Sequence, residues 1–173
     1  MKAWMIYNIK DYEKNKEYYN MHLKIASELD IELELKFMEL FYYGVKNGTY
    51  YLKYDNVEYN VDKCNLPTFA IARMRNSVFT KQLELMGIDV YNNSIVSDIC
   101  NDKAKTYQIL ANKGIKLIDT EYIYKSEYLY KMDNSRNFIS DNVIKSLSGH
   151  GIWLSNILIC IITIHLKISI KIL

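Results

Sequence analysis

The sequence has few of the residues that covalent or metal cross-links need. Its three cysteines, Cys64, Cys100 and Cys160, are far apart and odd in number, and none belongs to a Cys-x-x-Cys or Cys/His cluster. This spacing excludes a disulfide framework and a structural zinc site, and a reducing cytoplasm is the expected compartment. Pro67 is the only proline, and no low-complexity linker interrupts the 173 residues. The length allows one good-sized domain or two small ones.

The chain also lacks a surplus of charge of either sign. Lys and Arg number 22 against 20 for Asp and Glu, and no polybasic stretch occurs. Nucleic acid and anionic lipid are therefore not expected as partners. The first apolar run is broken by Asn8, Lys10 and Asp11 and is followed by no small-residue cleavage site, so it does not predict a secretory signal.

What is present is an alternation of strand and helix patterns. The run KAWMIYNI has strand length, and a helix face is predicted from the apolar spacing that follows it, which is formed by Tyr18, His22, Ile25 and Leu29. The period-two alternation in IELELKFMEL predicts a half-buried strand at 31–40. NGTYYLKYDNVEYNV predicts a hairpin, with turns at Asn47-Gly48 and Asp55-Asn56.

The alternation continues after Pro67. TFAIARMR predicts a strand, and the next helix has an apolar stripe of Phe79, Leu83 and Met86, with Gly87 placed to end it. A short strand at 88–91 and a helix from Ile95 follow. These patterns predict a three-layer α/β fold around a partly parallel sheet up to about residue 100.

A second lobe is predicted after Asn101. Asn101 or Asp102 can cap a helix that carries an apolar stripe of Ala104, Tyr107 and Ala111 and stops at Gly114. LIDTEYIYKS and the start of VIKSLSGHG then predict two further strands.

Lys103 is the first candidate for a binding residue. A cation in the first turn of a helix opposes the helix dipole, and a bound anion would relieve that conflict. A solvated surface lysine beside Asp102 is the alternative interpretation.

VIKSLSGHG contains the second candidate. Lys145 lies near the end of a predicted strand, before a loop that holds Gly149 and Gly151. Such a lysine and the backbone N–H groups of a glycine loop suit phosphate oxygens. The string differs from the Walker pattern, which has its lysine after the glycines, and an ordinary turn is the alternative.

Arg73 and Arg75 are the third candidate. They lie at the end of a predicted strand, where open α/β sheets form their ligand crevice, and guanidinium groups there could hold a substrate carboxylate. A solvated or salt-bridged pair is the alternative.

The order of these pieces resembles the ATP-grasp superfamily, and most closely its RimK-like carboxylate-amine ligases. The resemblance covers 66–151: an arginine-bearing strand, a helix, GIDVYN, DKAKT, a helix, GI, and a lysine strand entering a glycine loop. It implies a Rossmann-like pre-ATP-grasp domain over 1–100 and the N-terminal part of an ATP-grasp domain over 101–151.

The resemblance also implies roles and ligands. Lys103 and Lys145 match two lysines that bind ATP phosphates, and Ser148, Gly149, His150 and Gly151 match the flexible loop that closes over them. In the intact family ATP phosphorylates a carboxylate substrate, and an amine substrate attacks the acyl phosphate to give an amide, ADP and phosphate. Magnesium takes part in that reaction.

The segment 152–173 departs from the family pattern. Thirteen of its 22 residues are Ile or Leu and none is acidic, so it supplies no magnesium ligand and the chain alone is expected to be inactive. One hypothesis is an out-of-frame translation product, testable by reading the other two frames after codon 151. On this sequence a poorly soluble or disordered end is expected.

Two functional alternatives remain open beside a ligase fragment. One is a non-catalytic α/β module that binds a nucleotide or a protein. The other is a tail-anchored membrane protein, since a span needs roughly 20 apolar residues. The segment 152–173 reaches that length only by including Asn156, His165, Lys167 and Lys171.

Overall fold

The computed structural model describes residues 1–60, 65–124, 142–146 and 158–163. The chain divides into two compact units, Met1–Asp98 and Ile99–Leu173. That these units are a pre-ATP-grasp domain and part of an ATP-grasp domain stays a prediction, as does a boundary at residue 100.

The first unit is an α/β unit. Its elements are, in chain order, β1 (Lys2–Tyr7), α1 (Ile9–Glu13), α2 (Lys16–Glu28), β2 (Glu32–Phe37), a 3-10 turn (Met38–Leu40), β3 (Phe41–Lys46), β4 (Thr49–Tyr54), β5 (Val57–Tyr59), β6 (Phe69–Ala72), α3 (Ser77–Leu85), β7 (Asp89–Tyr91) and α4 (Ser94–Cys100), which runs past the end of the unit. The strands and helices predicted for this part of the sequence are confirmed, except that the strand predicted at 31–40 ends at Phe37 and the 3-10 turn takes its last three residues.

A parallel sheet in the order β2-β1-β6-β7 forms the centre of the first unit. Strand β1 is paired on both sides, with Ala3 opposite Leu33 of β2 and Phe69 of β6. Because both faces of a parallel sheet are covered, β1 is apolar on both, and Ala3 to Tyr7 are all buried. The predicted parallel α/β sheet is confirmed.

The main core lies on the sheet face that carries Trp4 and Ile6. Phe79 and Leu83 of α3 pack there with no exposed surface, and Met86 closes the same cluster. The predicted helix stripe is therefore confirmed, and Gly87 ends the helix with a φ of 86°, which suits a residue without Cβ.

The antiparallel sheet β3-β4-β5 covers the same core. Asn47 and Gly48 have φ of 51° and 75°, the turn geometry that joins β3 to β4, and Asp55 has φ of 53° in the next turn. Both turns were predicted. Strand β3 was not predicted. It brings Phe41 and Tyr43 against Phe79, and the ring centroid of each lies 4.8 Å from that of Phe79.

The face predicted for α2 is wrong. Tyr18, Ile25 and Leu29 are 36%, 45% and 63% exposed, whereas Ala26 is the buried residue of the helix and Tyr19 is half-buried. Tyr19 and Ala26 are seven residues apart, about two helical turns, and therefore lie on one face of α2. The sequence thus contains two possible apolar stripes for this helix. The small Ala26 allows a closer approach to the sheet.

Strand β2 buries a lysine, contrary to the half-buried pattern that the alternation predicts. Lys36 Nζ lies 2.9 Å from Glu34 Oε2 and 4.5 Å from the ring centroid of Tyr54, and donates a 3.4 Å hydrogen bond to the Tyr59 hydroxyl. Trp4 Nε1 also donates to Glu34, at 3.1 Å. The charged face of β2 is covered by the antiparallel sheet, and Glu34 compensates the buried charge of Lys36.

Glu34 makes the stability of the chain depend on pH. Burial acts to raise the pKa of Glu34, but hydrogen bonds from Lys2 and Lys36 outweigh it and hold the pKa below the ordinary value of 4.5. A lowered folded-state pKa contributes stability that is present above pH 4.5 and is lost as pH falls through the folded-state pKa.

We expect Glu34→Gln to lower the free energy of unfolding at pH 7 by about 1 kcal/mol, because it removes a part-buried ionised partner of two lysines. The difference from wild type should shrink below pH 4, and urea unfolding at several pH values measures it. The control is Glu13→Gln, whose pair with Lys16 is exposed. A difference that is independent of pH would contradict the assignment.

The second unit contains α5 (Lys103–Asn112), β8 (Thr120–Tyr124), β9 (Asn142–Ser146) and β10 (Leu158–Thr163). Gly114, with φ of 72°, follows the helix as predicted. The strands form an antiparallel sheet in the order β8-β10-β9, with Ile161 opposite Glu121 on one side and Ile144 on the other. The helix stripe of Ala104, Tyr107 and Ala111 is not buried in the structure.

β10 lies within the apolar segment 152–173. Of the two expected outcomes for this segment, disorder is wrong for Leu158–Thr163, because these six residues form the middle strand of the sheet, and poor solubility stays a prediction. The origin of the segment by a shift of reading frame stays a prediction.

Candidate functional site

The carboxyl ends of β1 and β6 lie side by side at one edge of the parallel sheet. Ile6 pairs with Ala72, and one step beyond, the Arg73 backbone N–H donates to the Ile6 carbonyl at 2.8 Å. Tyr7 and Arg73 therefore share this edge, which is where open α/β sheets bind ligands.

Arg73 and Arg75 lie within three residues of the end of β6, which confirms their predicted position at a strand end, and both are exposed. Met74 between them is buried at 5% exposure, so the chain alternates here and presents both arginines away from the core. Arg73 Cζ lies 4.7 Å from the ring centroid of Tyr18 on α2. The role of the two arginines in binding a substrate stays a prediction.

Asn76 holds the backbone that follows these arginines. Its side-chain oxygen accepts a 2.9 Å hydrogen bond from Phe79 N and caps α3, while its Nδ2 donates to the Tyr43 hydroxyl at 3.0 Å. In the 3-10 turn that follows β2, Glu39 accepts from Ile9 N at 3.0 Å and fixes the start of α1. The loops at this sheet edge are thus tied to the fold.

Tyr7 is a residue of this edge that the sequence reading did not select. Burial raises the pKa of its hydroxyl, and the Arg73 guanidinium beside it acts in the opposite direction. Two features of the sequence were available: Tyr7 lies near the end of the first predicted strand, and Arg73 lies near the end of the predicted strand that pairs with it in the structure. Only the pairing of β1 with β6 shows that they meet.

Lys103 is the first residue of α5. The Asp102 carboxylate accepts hydrogen bonds from Ala104 N at 2.8 Å and Lys105 N at 3.1 Å, which confirms Asp102 as the cap. The Thr106 hydroxyl donates to the Ile99 carbonyl at 2.7 Å and joins the helix to the segment before it. The predicted position of Lys103 in the first helical turn is confirmed, its side chain is half-buried, and its role with phosphate stays a prediction.

Lys145 is the fourth of the five residues of β9 and pairs with Cys160 of β10. Its predicted position near the end of a strand is confirmed. The predicted loop residues Ser148, Gly149, His150 and Gly151 lie outside the described residues. Lys103 and Lys145 belong to the second unit, whereas Arg73 and Arg75 belong to the first.

Two further features are absent from the residues that the structure describes. Nowhere in these ranges do three or more His, Cys, Asp or Glu side chains cluster as metal ligands. Over the same part of the chain, no helix combines the length and the apolar character that crossing a membrane requires.

Comparison by sequence gives no relative: no protein-family model matches the chain, and no curated protein matches it.

Comparison by structure gives ligases. The chain is similar to the D-alanine–D-alanine ligase from Bacillus anthracis, with a TM-score of 0.61 and 17% identity over 94% of this chain and 56% of that one. The B. anthracis ligase was also solved in complex with ATP.

Two other ligase-fold structures are similar at lower identity. For a RimK domain ATP-grasp protein from Sphaerobacter thermophilus the TM-score is 0.62, with 9% identity over 95% of this chain and 64% of that one. For the VanG D-Ala:D-Ser ligase from Enterococcus faecalis the TM-score is 0.66, with 9% identity over 94% of this chain and 62% of that one.

The likeness extends beyond the part of the sequence that resembles the family. The matches leave 5% to 6% of the chain uncovered, which is fewer residues than the 22 of segment 152–173. The match therefore includes part of that segment. The chain spans 56% to 64% of the length of these solved chains. Over the part that it spans, this chain has the α/β fold of the ATP-grasp ligases.

Proposed function

We propose that the chain is the nucleotide-binding part of an ATP-dependent carboxylate-amine ligase of the RimK-like branch. The observation that carries the proposal is the fold of ATP-grasp ligases together with a lysine at the start of α5 and a lysine near the end of β9. The resemblance to the ATP-grasp superfamily implies that lysines at these two positions bind ATP. A cytoplasmic location accompanies the proposal.

Lys103 and Lys145 would bind and orient the phosphates of ATP, with the loop 148–151 closing over them. Two ammonium groups stabilise the charge that develops as the γ-phosphoryl group moves to a substrate carboxylate. The bridging bond to the γ-phosphorus breaks and ADP is released. A neutral amine then attacks the acyl carbon, its nitrogen gives up a proton, the C–O bond to phosphate breaks, and amide and phosphate leave. No step is assigned to magnesium, because no group of metal ligands is found among the described residues.

The apolar segment 152–173 is the reason that we expect no ATP turnover by this chain alone. It contains no Asp or Glu. We expect the 173-residue chain to bind ATP without turning it over, which is the behaviour of the non-catalytic nucleotide-binding module. Release of phosphate from ATP by the purified chain, above the rate of Lys145→Ala, would contradict this expectation.

Calorimetric titration with magnesium-ATP tests the site. We expect Lys103→Ala and Lys145→Ala each to weaken ATP binding about tenfold or more, because each removes a charged hydrogen-bond donor from the phosphates. Lys105→Ala is the matched control, since Lys105 is exposed and lies in the first turn of the same helix.

Two results would overturn the site. One is the absence of heat at millimolar nucleotide with the wild-type chain. The other is an equal loss in Lys105→Ala, which would show that only the net charge of the chain matters.

A further inference from the structure

Tyr7 and Arg73 form a small polar cluster at the carboxyl ends of β1 and β6. Both side chains lie toward the helices α1 and α2: the Tyr7 ring centroid is 5.9 Å from that of Tyr12, and the Arg73 guanidinium lies over Tyr18. The cluster is therefore on the sheet face opposite the core of Trp4. It belongs wholly to the first unit.

Arg73 carries a charge that no carboxylate balances in the part of the chain that the structure describes. Its cation–π contact with Tyr18 uses a ring face and offers no oxygen acceptor. The planar guanidinium therefore keeps its capacity for a two-point hydrogen bond to a carboxylate.

Tyr7 is 1% exposed, and its hydroxyl makes no hydrogen bond of ordinary geometry with the described residues; the Arg73 guanidinium is its polar neighbour. A buried hydroxyl without a well-formed hydrogen bond is destabilising, and phenylalanine would fill the same space without that cost. A tyrosine of ordinary pKa is already protonated at neutral pH, and burial raises the pKa of Tyr7 further, so the hydroxyl can donate. Packing thus explains the ring of Tyr7 but not its oxygen.

We infer that Tyr7 and Arg73 together bind a carboxylate of the acid substrate, an inference that rests on the proposed ligase function. One carboxylate oxygen accepts from the Tyr7 hydroxyl, and the guanidinium donates to both. Arg73 is exposed and lies beside the buried hydroxyl, so binding at this position requires the Arg73 side chain to rotate aside as the ligand enters. Tyr18 then provides a flat surface for the adjoining part of the substrate.

Glutarate is a suitable probe, because the diamide glutaramide has the same length without the carboxylates. In an NMR titration we expect glutarate, and not glutaramide, to shift the signals of residues 6–8 and 72–74. Tyr7→Phe should bind glutarate about tenfold more weakly, and Arg73→Ala at least as weakly, since each loses a charge-assisted hydrogen bond. Arg73→Lys should bind glutarate more tightly than Arg73→Ala but more weakly than wild type. Lysine keeps the positive charge but lacks the planar guanidinium that donates to both carboxylate oxygens.

Heat unfolding of the ligand-free variants separates binding from a structural role. Tyr7→Phe should unfold at the wild-type temperature or above it, because it removes an unpartnered hydroxyl. The control is Tyr19→Phe, which lies in the same aromatic cluster with its hydroxyl directed at the Leu35 backbone, and which should bind glutarate as wild type does. Wild-type affinity in Tyr7→Phe, or a lower unfolding temperature of that variant, would overturn the inference.

Titration with magnesium-ATP on the same samples distinguishes this inference from the proposed function. Binding of ATP without any response to glutarate overturns the carboxylate site and leaves the ligase proposal standing. A response to glutarate that Tyr7→Phe loses, in a chain that does not bind ATP, supports the carboxylate site and removes the ligase proposal.

Discussion

Replacing Trp4 by alanine is expected to lower the free energy of unfolding by about 3–5 kcal/mol, the range for removing a large aromatic side chain from a core. Trp4 has no exposed surface, and its ring centroid lies 4.9 Å from that of Tyr59 and 5.8 Å from that of Phe41. The change also removes a hydrogen-bond donor from Glu34 and a ring from the surroundings of Lys36. A cavity and a less stabilised ion pair thus arise together.

Urea unfolding followed by far-ultraviolet circular dichroism measures this effect without depending on tryptophan fluorescence. Tyr42→Ala is the control, because Tyr42 is an aromatic residue of the same unit that is 62% exposed, and it should change stability by less than about 1 kcal/mol. If Trp4→Ala behaved like Tyr42→Ala, Trp4 would not lie in the core described above.

Replacing Ile161 by proline is expected to disrupt the sheet of the second unit, at a cost of at least about 1–3 kcal/mol, the penalty for leaving a hydrogen-bond acceptor of the sheet unpaired. Ile161 lies in the middle strand, between Glu121 of β8 and Ile144 of β9. Proline has no N–H to donate and is not accommodated in the middle of a sheet. β8 and β9 are not neighbours in the sheet, so losing β10 leaves each of them without its partner.

Hydrogen exchange read by mass spectrometry tests this expectation. The amides of Thr120–Tyr124 and Asn142–Ser146 should lose protection in Ile161→Pro. They should keep it in the control Ile118→Pro, where an exposed residue before β8 receives the same substitution. Unchanged protection in Ile161→Pro would show that segment 152–173 does not supply the middle strand.

Much of the first unit could be predicted because its signals are local. The apolar run of β1, the stripe of Phe79, Leu83 and Met86, and the Asn47-Gly48 turn each depend on residues close in sequence. The face of α2 was missed because Tyr18 and Tyr19 begin two equally spaced stripes. Burial of Lys36 was missed because it requires β4 and β5 to fold over β2, a contact that local periodicity does not contain.

The residues of the candidate site also fall into two groups, those whose positions local patterns predict and those whose positions depend on the tertiary fold. The positions of Arg73, Arg75, Lys103 and Lys145 at the ends of elements followed from strand and cap patterns. Tyr7 was missed because its relation to Arg73 depends on the order of strands in the sheet. Tyr18 was assigned to the core, and its contact with Arg73 shows why an exposed tyrosine on α2 is relevant to the site.

The strand order β8-β10-β9 also has a consequence for synthesis on the ribosome. The central sheet of the first unit needs only residues up to Tyr91, so it can form while the rest of the chain is being translated. β8 and β9 each wait for Leu158–Thr163 before they find a partner. During that interval two unpaired strands are open to other chains, and a nascent second unit is the part of this protein that a chaperone would have to protect.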